Sequence, residues 1–374
     1  RSFVAEGLAL LDEVMVEVLS DELSPVMTGL LYCSVIEACY RAYALDRSSE
    51  WTAALDRWCS AQQGLVAFTT VCLVRRAEIM EMHGDWPGAL KEAQRACERV
   101  AHLPNRRPSA AALYQQAEVF RLRGEFRAAE SAYGAASAGG WDPQPGLALL
   151  RLAQGKTDVA VQAIRRAAAT ASDPFERSRL LPSLVEISLA VGDVEGAREG
   201  VRELEVLSKT FGASMLETIT SQARGQVQLA EGDAAAAAAS LRRALVGWET
   251  LQASWRAANA RVLVGLSCDA LGDGDGATLE FSSARAVFTT LGATPDLARL
   301  DALRRVAPLP THPLSARELD VIRLLAVGKT NRAIAAELRI SEKTVARHAS
   351  NIFAKLGLST RSAAAAWAWQ HGLI

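Results

Sequence analysis

LSARELDVIRLLAVGKTNRAIAAELRISEKTVARHASNIFAKLGLSTR, residues 314–361, decides the reading of this chain, because its caps and apolar spacings define a run of short helices. Ser315 followed three residues later by Glu318 is a capping box, in which hydroxyl and carboxylate satisfy orphan amides at a helix start. Leu319, Ile322, Leu325 and Ala326 then recur at helical spacing, and Gly328 ends that helix. A second helix from about Thr330 to Leu338 buries Ile334, Ala335 and Leu338, with small Ala335 and Ala336 allowing a close crossing. It is only about two turns long, so it needs neighbours to exist.

After a tight turn at Arg339 and Ile340, Ser341 caps a third helix that runs to Leu356 and is stopped by Gly357. Val345, Ala349, Ile352, Phe353 and Leu356 form its buried stripe, while Lys343, Thr344, Ala346, Arg347, Ser350 and Asn351 lie on other faces. Small polar and basic side chains on the N-terminal half of a helix suit entry into a DNA major groove, with basic residues set against phosphates. Ser359 or Thr360 opens a fourth helix, Ala363 to Trp369, whose apolar surface is long for so small a domain and is in part a candidate dimer face. Charge agrees: residues 311–374 hold nine Lys and Arg against four Asp and Glu, in a chain of net charge -1. A nearly neutral chain with a basic end points to a polyanion at that end only.

This run resembles the DNA-binding domain of the LuxR family of bacterial regulators, the fold shared with GerE and NarL-type regulators. The resemblance rests on Leu314, Glu318 and Val321, on Gly328, Asn331, Ile334 and Ala335, and on Ser341, Thr344, Val345, His348, Ile352, Lys355 and Leu356. It implies a sequence-specific transcription regulator that binds an inverted-repeat operator in double-stranded DNA as a homodimer paired through the fourth helix. It also allows for a contact with RNA polymerase. By the same resemblance Thr344, Arg347 and Ser350 face DNA and Lys343 sits on phosphate, with Asn351 and Lys355 completing the candidate set. The family often carries a basic residue where this chain has Ala346, with Arg347 next to it, so guanine readout by Arg347 and a weaker or different sequence preference are equally allowed. His348 reads either as a partly buried imidazole between helices or as a phosphate contact. No second histidine or cysteine stands at ligand spacing, so no metal and no cofactor is expected.

Upstream, a glycine is followed five residues later by alanine at Gly84 and Ala89, Gly124 and Ala129, Gly155 and Ala160, Gly192 and Ala197, Gly232 and Ala237, and Gly272 and Ala277. The spacings between these glycines are 40, 31, 37, 40 and 40 residues, and the residue after each is acidic except at Lys156. The glycine ends one helix in a left-handed residue and the alanine lets the next helix lie close, so the unit is a helical hairpin. Further small or apolar residues follow four and seven positions beyond each alanine, from Ala93 and Ala96 in the first unit to Phe281 and Ala284 in the last. The same offsets without glycine at Ser49, Ala54, Trp58 and Ala61 predict one more hairpin near the start.

These units look like degenerate tetratricopeptide repeats, with Gly84, Trp86 and Ala89 and then Gly124, Phe126 and Ala129 fitting best. The resemblance implies an all-α chain: a tetratricopeptide-like, elongated right-handed superhelix over residues 1–306, whose concave face takes a small ligand or a protein. A proline-stiffened linker is expected at 307–313 and the LuxR-type helix-turn-helix domain at 314–374. The alternative is an interaction scaffold with a weak or non-specific DNA-binding module. Trp51, Trp58, Trp86, Tyr114, Tyr133 and Phe281 are read as repeat core, and six scattered cysteines as small buried residues of a reducing cytoplasm.

Phe3 to Leu19 has helical periodicity but lacks the partner its apolar face expects, and no leader or membrane-spanning run is seen. The chain is therefore expected to be the C-terminal part of a larger regulator, resembling those of the maltose-activator type that carry an ATPase domain ahead of such repeats. Single carboxylates such as Glu78, Glu118 and Glu186 have no paired base or phosphate loop, so no enzyme activity is expected in these residues.

Overall fold

Six glycines that punctuate the sequence all end helices in the left-handed region, at φ values from +75° to +90°. In the computed structural model, which describes residues 3–20, 23–61, 66–100, 107–306 and 314–370, every described element is an α-helix or a turn. The first is α1 (Phe3–Val18), followed by the hairpins α2 (Pro25–Arg41) with α3 (Leu45–Ala61) and α4 (Val66–His83) with α5 (Trp86–Val100). Next come α6 (Arg107–Arg123) with α7 (Phe126–Ala138) and α8 (Gly146–Ala153) with α9 (Thr157–Thr170). Then follow α10 (Pro174–Ala190) with α11 (Val194–Phe211), α12 (Ser214–Ala230) with α13 (Ala234–Thr250), α14 (Ser254–Ala270) with α15 (Gly274–Leu291), and α16 (Thr294–Val306). The short spacing between Gly124 and Gly155 is taken chiefly from α8, which has 8 residues where α6 and α10 have 17.

The aspartates after four of the glycines, Asp85, Asp193, Asp233 and Asp273, accept hydrogen bonds from the amides of Gly88, Gly196, Ala236 and Gly276 and so cap the second helix, whereas Glu125 and Lys156 make no such bond. The alanine five residues after each glycine is buried in all six units, with no exposure at Ala89, Ala129, Ala160, Ala197 and Ala237 and 3% at Ala277. A larger side chain there would push the paired helices apart, since interiors have no spare volume.

Two features differ from the sequence expectation. The N-terminal hairpin exists, but its turn is at Tyr43, left-handed at φ +59°, and not at Ser49, which lies inside α3. Counting from Tyr43, the buried positions are Ser48, Thr52 and Leu55, the same offsets that hold in the other units. A second series of turns also went unread, between hairpins: Phe-Gly-Ala-Ser at 211–214, Leu-Gln-Ala-Ser at 251–254 and Leu-Gly-Ala-Thr at 291–294. Gly212, Gln252 and Gly292 are all left-handed there, so the 40-residue period is halved into two turns.

The stack is also not open. Its N-terminal helices pack across onto the C-terminal ones, and α4 meets α14 while α6 meets α16. One cluster joins Trp86, Ala89, Val119 and Leu122 to Ala258, Val262, Phe288, Ala293 and Leu300. Trp86 and Phe288, 1% and 0% exposed, each contribute roughly 2–3 kcal/mol of hydrophobic burial. At this seam Gly84 and Gly124 serve twice: besides their left-handed turns, a Cβ on Gly84 would lie 2.8 Å from Leu291 Cδ2 and one on Gly124 3.1 Å from Pro295. Farther along, Arg41 pairs with Asp173 at 2.7 Å and the Tyr43 hydroxyl meets that of Ser178 at 2.8 Å, joining α2 and its turn to α10. The expected linker at 307–313 lies outside the described residues.

Candidate nucleic-acid interface

The C-terminal residues form α17 (Ala316–Ala326), α18 (Asn331–Leu338), α19 (Glu342–Leu356) and α20 (Arg361–Gln370). The capping box at the start of α17 is complete: Ser315 Oγ accepts from the Glu318 amide at 3.3 Å, and the Glu318 carboxylate accepts from the Ser315 amide at 2.8 Å. Thr330 and Ser341 cap α18 and α19 by accepting from the amides of Ala333 and Thr344. The turn between these two helices is made by Arg339 in the left-handed conformation, φ +53°. Val321, Ile322, Leu325, Ile334, Val345, Ile352, Ala364 and Ala368 close one core among all four helices.

That core fixes which side of α19 faces out. With Val345 and Ile352 fully buried, the opposite stripe carries Lys343, Arg347 and Ser350, with Asn351 at its edge, and all four are exposed. Among the described residues none of the four has a hydrogen-bond or ion-pair partner. The stripe from Lys343 to Ala354 spans about 16 Å at 1.5 Å per residue. Thr344 is half-buried and its hydroxyl meets that of Ser341 at 2.8 Å, which turns it toward the helix start.

Lys355 is placed differently from the other candidates. Its ammonium donates to the Glu318 carboxylate at 2.8 Å, tying the last turn of α19 to the first turn of α17. Burial by itself would raise the Glu318 pKa, but the bonds from Lys355 and the Ser315 amide outweigh it and hold the carboxyl below its usual range. His348 is half-buried on the flank of α19.

The other basic residues of the domain divide cleanly. Arg317 donates to the Leu338 carbonyl at 2.6 Å, Lys329 pairs with Glu337, Arg323 lies 3.9 Å from Asp320, and Arg361 donates to the Lys329 carbonyl and to Asn331. Four cations remain without a protein partner among the described residues: Arg332 on α18, Arg339 in the turn, and Lys343 and Arg347 on α19. Arg332 and Arg339 were not singled out by sequence reasoning. The available signal was their place, one in each element flanking the Ser341 cap, with no acidic residue three or four positions away to hold Arg332. Among the described residues no group of three or more His, Cys, Asp or Glu side chains is placed to hold a metal ion, and no helix is long and apolar enough to cross a membrane. All six cysteines are free thiols, and Cys39, Cys59, Cys72 and Cys268 are buried.

Two helices joined by a tight turn, the second presenting an unpaired basic stripe, define a helix-turn-helix domain. Residues 312–368 match the family described as bacterial regulatory proteins, luxR family, and the four-helix unit is a LuxR-type domain. Over 66 residues the chain is 46% identical to the transcriptional regulatory protein LiaR of Bacillus subtilis, covering 18% of this chain and 31% of that protein. It is 45% identical over 62 residues to the Fimbriae Z protein of Salmonella typhimurium, covering 17% of this chain and 30% of the relative. It is 43% identical over 61 residues to the response regulator VraR of Staphylococcus aureus, covering 16% and 29%. The chain thus spans less than a third of the length of these relatives. The helical stack resembles a crystal structure of the APC/C hetero-tetramer Cut9-Hcn1, with TM-score 0.54, 15% identity, 80% of this chain covered and 53% of that one. That likeness is one of fold.

Proposed function

We propose that this protein is a sequence-specific transcription regulator that lays α19 into the major groove of an inverted-repeat site in double-stranded DNA. The observation that carries the reading is the concentration of the four unpartnered cations, Arg332, Arg339, Lys343 and Arg347, on the helix-turn-helix of a LuxR-type domain. Arg347 and Ser350 read base edges, with Asn351 beside them. Lys343, Arg332 and Arg339 meet phosphate. Thr344 shapes the start of the helix next to the backbone, and Lys355 holds α19 in place.

Two copies pair through α20, on which Trp369 is 66% exposed while Trp367 packs into the core. A large exposed indole beside a small-residue helix face is what a second copy would cover. The tetratricopeptide-like repeats act as the sensing or assembly part, and a contact with RNA polymerase belongs to the same reading.

Selection of random duplex DNA by the full chain at two salt concentrations tests this. The expected result is an enriched palindrome bound with steep salt dependence. Binding without enrichment would instead leave a repeat scaffold carrying a non-specific DNA-binding module.

A further inference from the structure

Closure of the repeat stack brings α2, α4, α6, α10 and α14 around a shared polar interior. Gln115 on α6 donates to Glu81 on α4 at 2.8 Å, and the Tyr40 and Phe175 rings of α2 and α10 lie 5.5 Å apart. Most charges in this interior are matched. Arg121 pairs with Glu118 at 2.6 Å, each side chain 13% exposed, and Arg75 is held by Glu78 at 2.6 Å and by Glu37.

Two guanidiniums are not matched. Arg179 on α10 lies 5.9 Å from the Phe175 ring and near Glu78, a carboxylate already paired with Arg75, and Arg256 on α14 lies 5.2 Å from the Trp248 ring and near Glu81. Among the described residues neither has a hydrogen-bond or ion-pair partner. Both are close enough to the Tyr43 hydroxyl to act on it, and Arg179 also acts on Tyr114, so the two cations face one region. Glu81 accepts from Gln115, and burial and the neighbouring Glu118 push it up to about 7 against Arg256, so near neutral pH it is only partly charged. Both arginines are half-buried, so the space they line is still reached by water.

An unpaired guanidinium inside a protein is costly unless an anion meets it, and its planar fork fits carboxylate and phosphate oxygens in pairs. We propose that Arg179 and Arg256 form the cationic wall of a binding site for a small anion bearing carboxylate or phosphate groups, inside the closed stack. This rests on the reading of the repeats as the sensing part of a regulator, and it gives that part a ligand class. The ligand enters where helices from the two ends of the stack meet, so its occupancy is tied to the seam.

Thermal unfolding of the full chain in inorganic phosphate and in citrate, against sodium chloride at equal ionic strength, provides the test. Such anions also stabilise proteins generally by exclusion from their surfaces. The comparison is therefore made with R179M, R256M and, as a control, R202M, whose side chain is 63% exposed on the outside of the stack. The expected result is a rise of several degrees in wild type and R202M beyond the chloride curve, with that excess lost in R179M and R256M. Without anion, R179M and R256M are expected to melt no lower than wild type, because an unpaired charge has been removed. R179K and R256K, which keep the charge but lose the fork, retain less than half of the excess. An equal rise in all variants overturns the proposal. DNA binding is read on the same samples: no anion effect in wild type with DNA binding intact sinks this site alone, and an anion effect in wild type without DNA binding sinks the regulator reading.

Discussion

Replacing Lys355 by methionine separates two roles for a residue that sequence reasoning placed on DNA. The carboxylate it meets, Glu318, is 2% exposed, while the Lys355 side chain is 37% exposed and lies 2.8 Å away. Breaking a fully buried pair costs about 3–5 kcal/mol, and a pair on the surface is worth about 0–1. Here one partner is buried and keeps its bond from the Ser315 amide, while the other is more than a third in solvent, so the loss should be about 2 kcal/mol. That is roughly a 30-fold increase in the opening of α17 and α19, read by hydrogen exchange of their amides in the full chain. A cycle with E318Q should return a coupling of about 1 kcal/mol, since the glutamine oxygen still accepts from Lys355 and only the ionic part of the bond is lost. The slope of log affinity for DNA against log salt should stay unchanged in K355M. Amides that exchange as in wild type, together with a slope smaller by about one, would show that Lys355 is a phosphate contact and that its bond to Glu318 contributes nothing.

The remaining predictions concern the interface, the seam and the interior. K343A, R332A and R339A should each weaken DNA binding uniformly across sequences and reduce the salt slope by about one per protomer, whereas R347A should also relax base preference; an unchanged slope in any of the first three removes that residue from the phosphate set. G84A should cost about 2–3 kcal/mol in urea unfolding and G232A only about 1, because both turns are left-handed but only Gly84 faces Leu291 at 2.8 Å; equal costs would mean that the seam yields freely. Glu81 is pushed up to about 7 by burial and by Glu118 and Glu78, against Arg256 and Arg121. Its folded value thus exceeds the unfolded one, and its contribution is full below about pH 4.3 and lost as pH rises toward 7. From pH 4.5 to 8 wild type should lose about 2–3 kcal/mol relative to E81Q in urea unfolding, and parallel pH profiles would refute this.

Local signals in the sequence carried far. A glycine, an acidic cap and an alanine lie within six residues of one another, so each turn reports its own geometry, and all six alanines are buried where the spacing places them. The signal fails when the left-handed residue is not glycine. Tyr43 hides the first hairpin turn and Gln252 interrupts an otherwise regular series between Gly212 and Gly292. In the DNA-binding domain the buried stripe of α19 was legible from apolar spacing, and its outward face follows by geometry. The bond from Lys355 to Glu318 was not legible because a lysine in the last turn of a helix reads as solvated and suited to the helix dipole. The clue was at the other end, in a capping-box carboxylate that needs a cation once it is buried.

Closure could not be read locally, because it depends on small rotations accumulated over many hairpins and on partners such as His83 and Ser254, whose carbonyl and hydroxyl meet at 3.3 Å across 171 residues of sequence. Its consequence is mechanical. In an open stack each hairpin contacts only its neighbours, so a ligand changes curvature at little cost and the change fades along the array. Here α4 and α6 are held against α14 and α16, and a change of curvature in the helices between them must either strain that seam or part it. The seam is a packed aromatic and aliphatic cluster, and packed clusters have discrete arrangements, not a continuum. A ligand in the interior therefore biases an open or a closed stack by its difference in affinity for the two. With Arg179 and Arg256 unmatched in the closed form, an anion has its largest effect there.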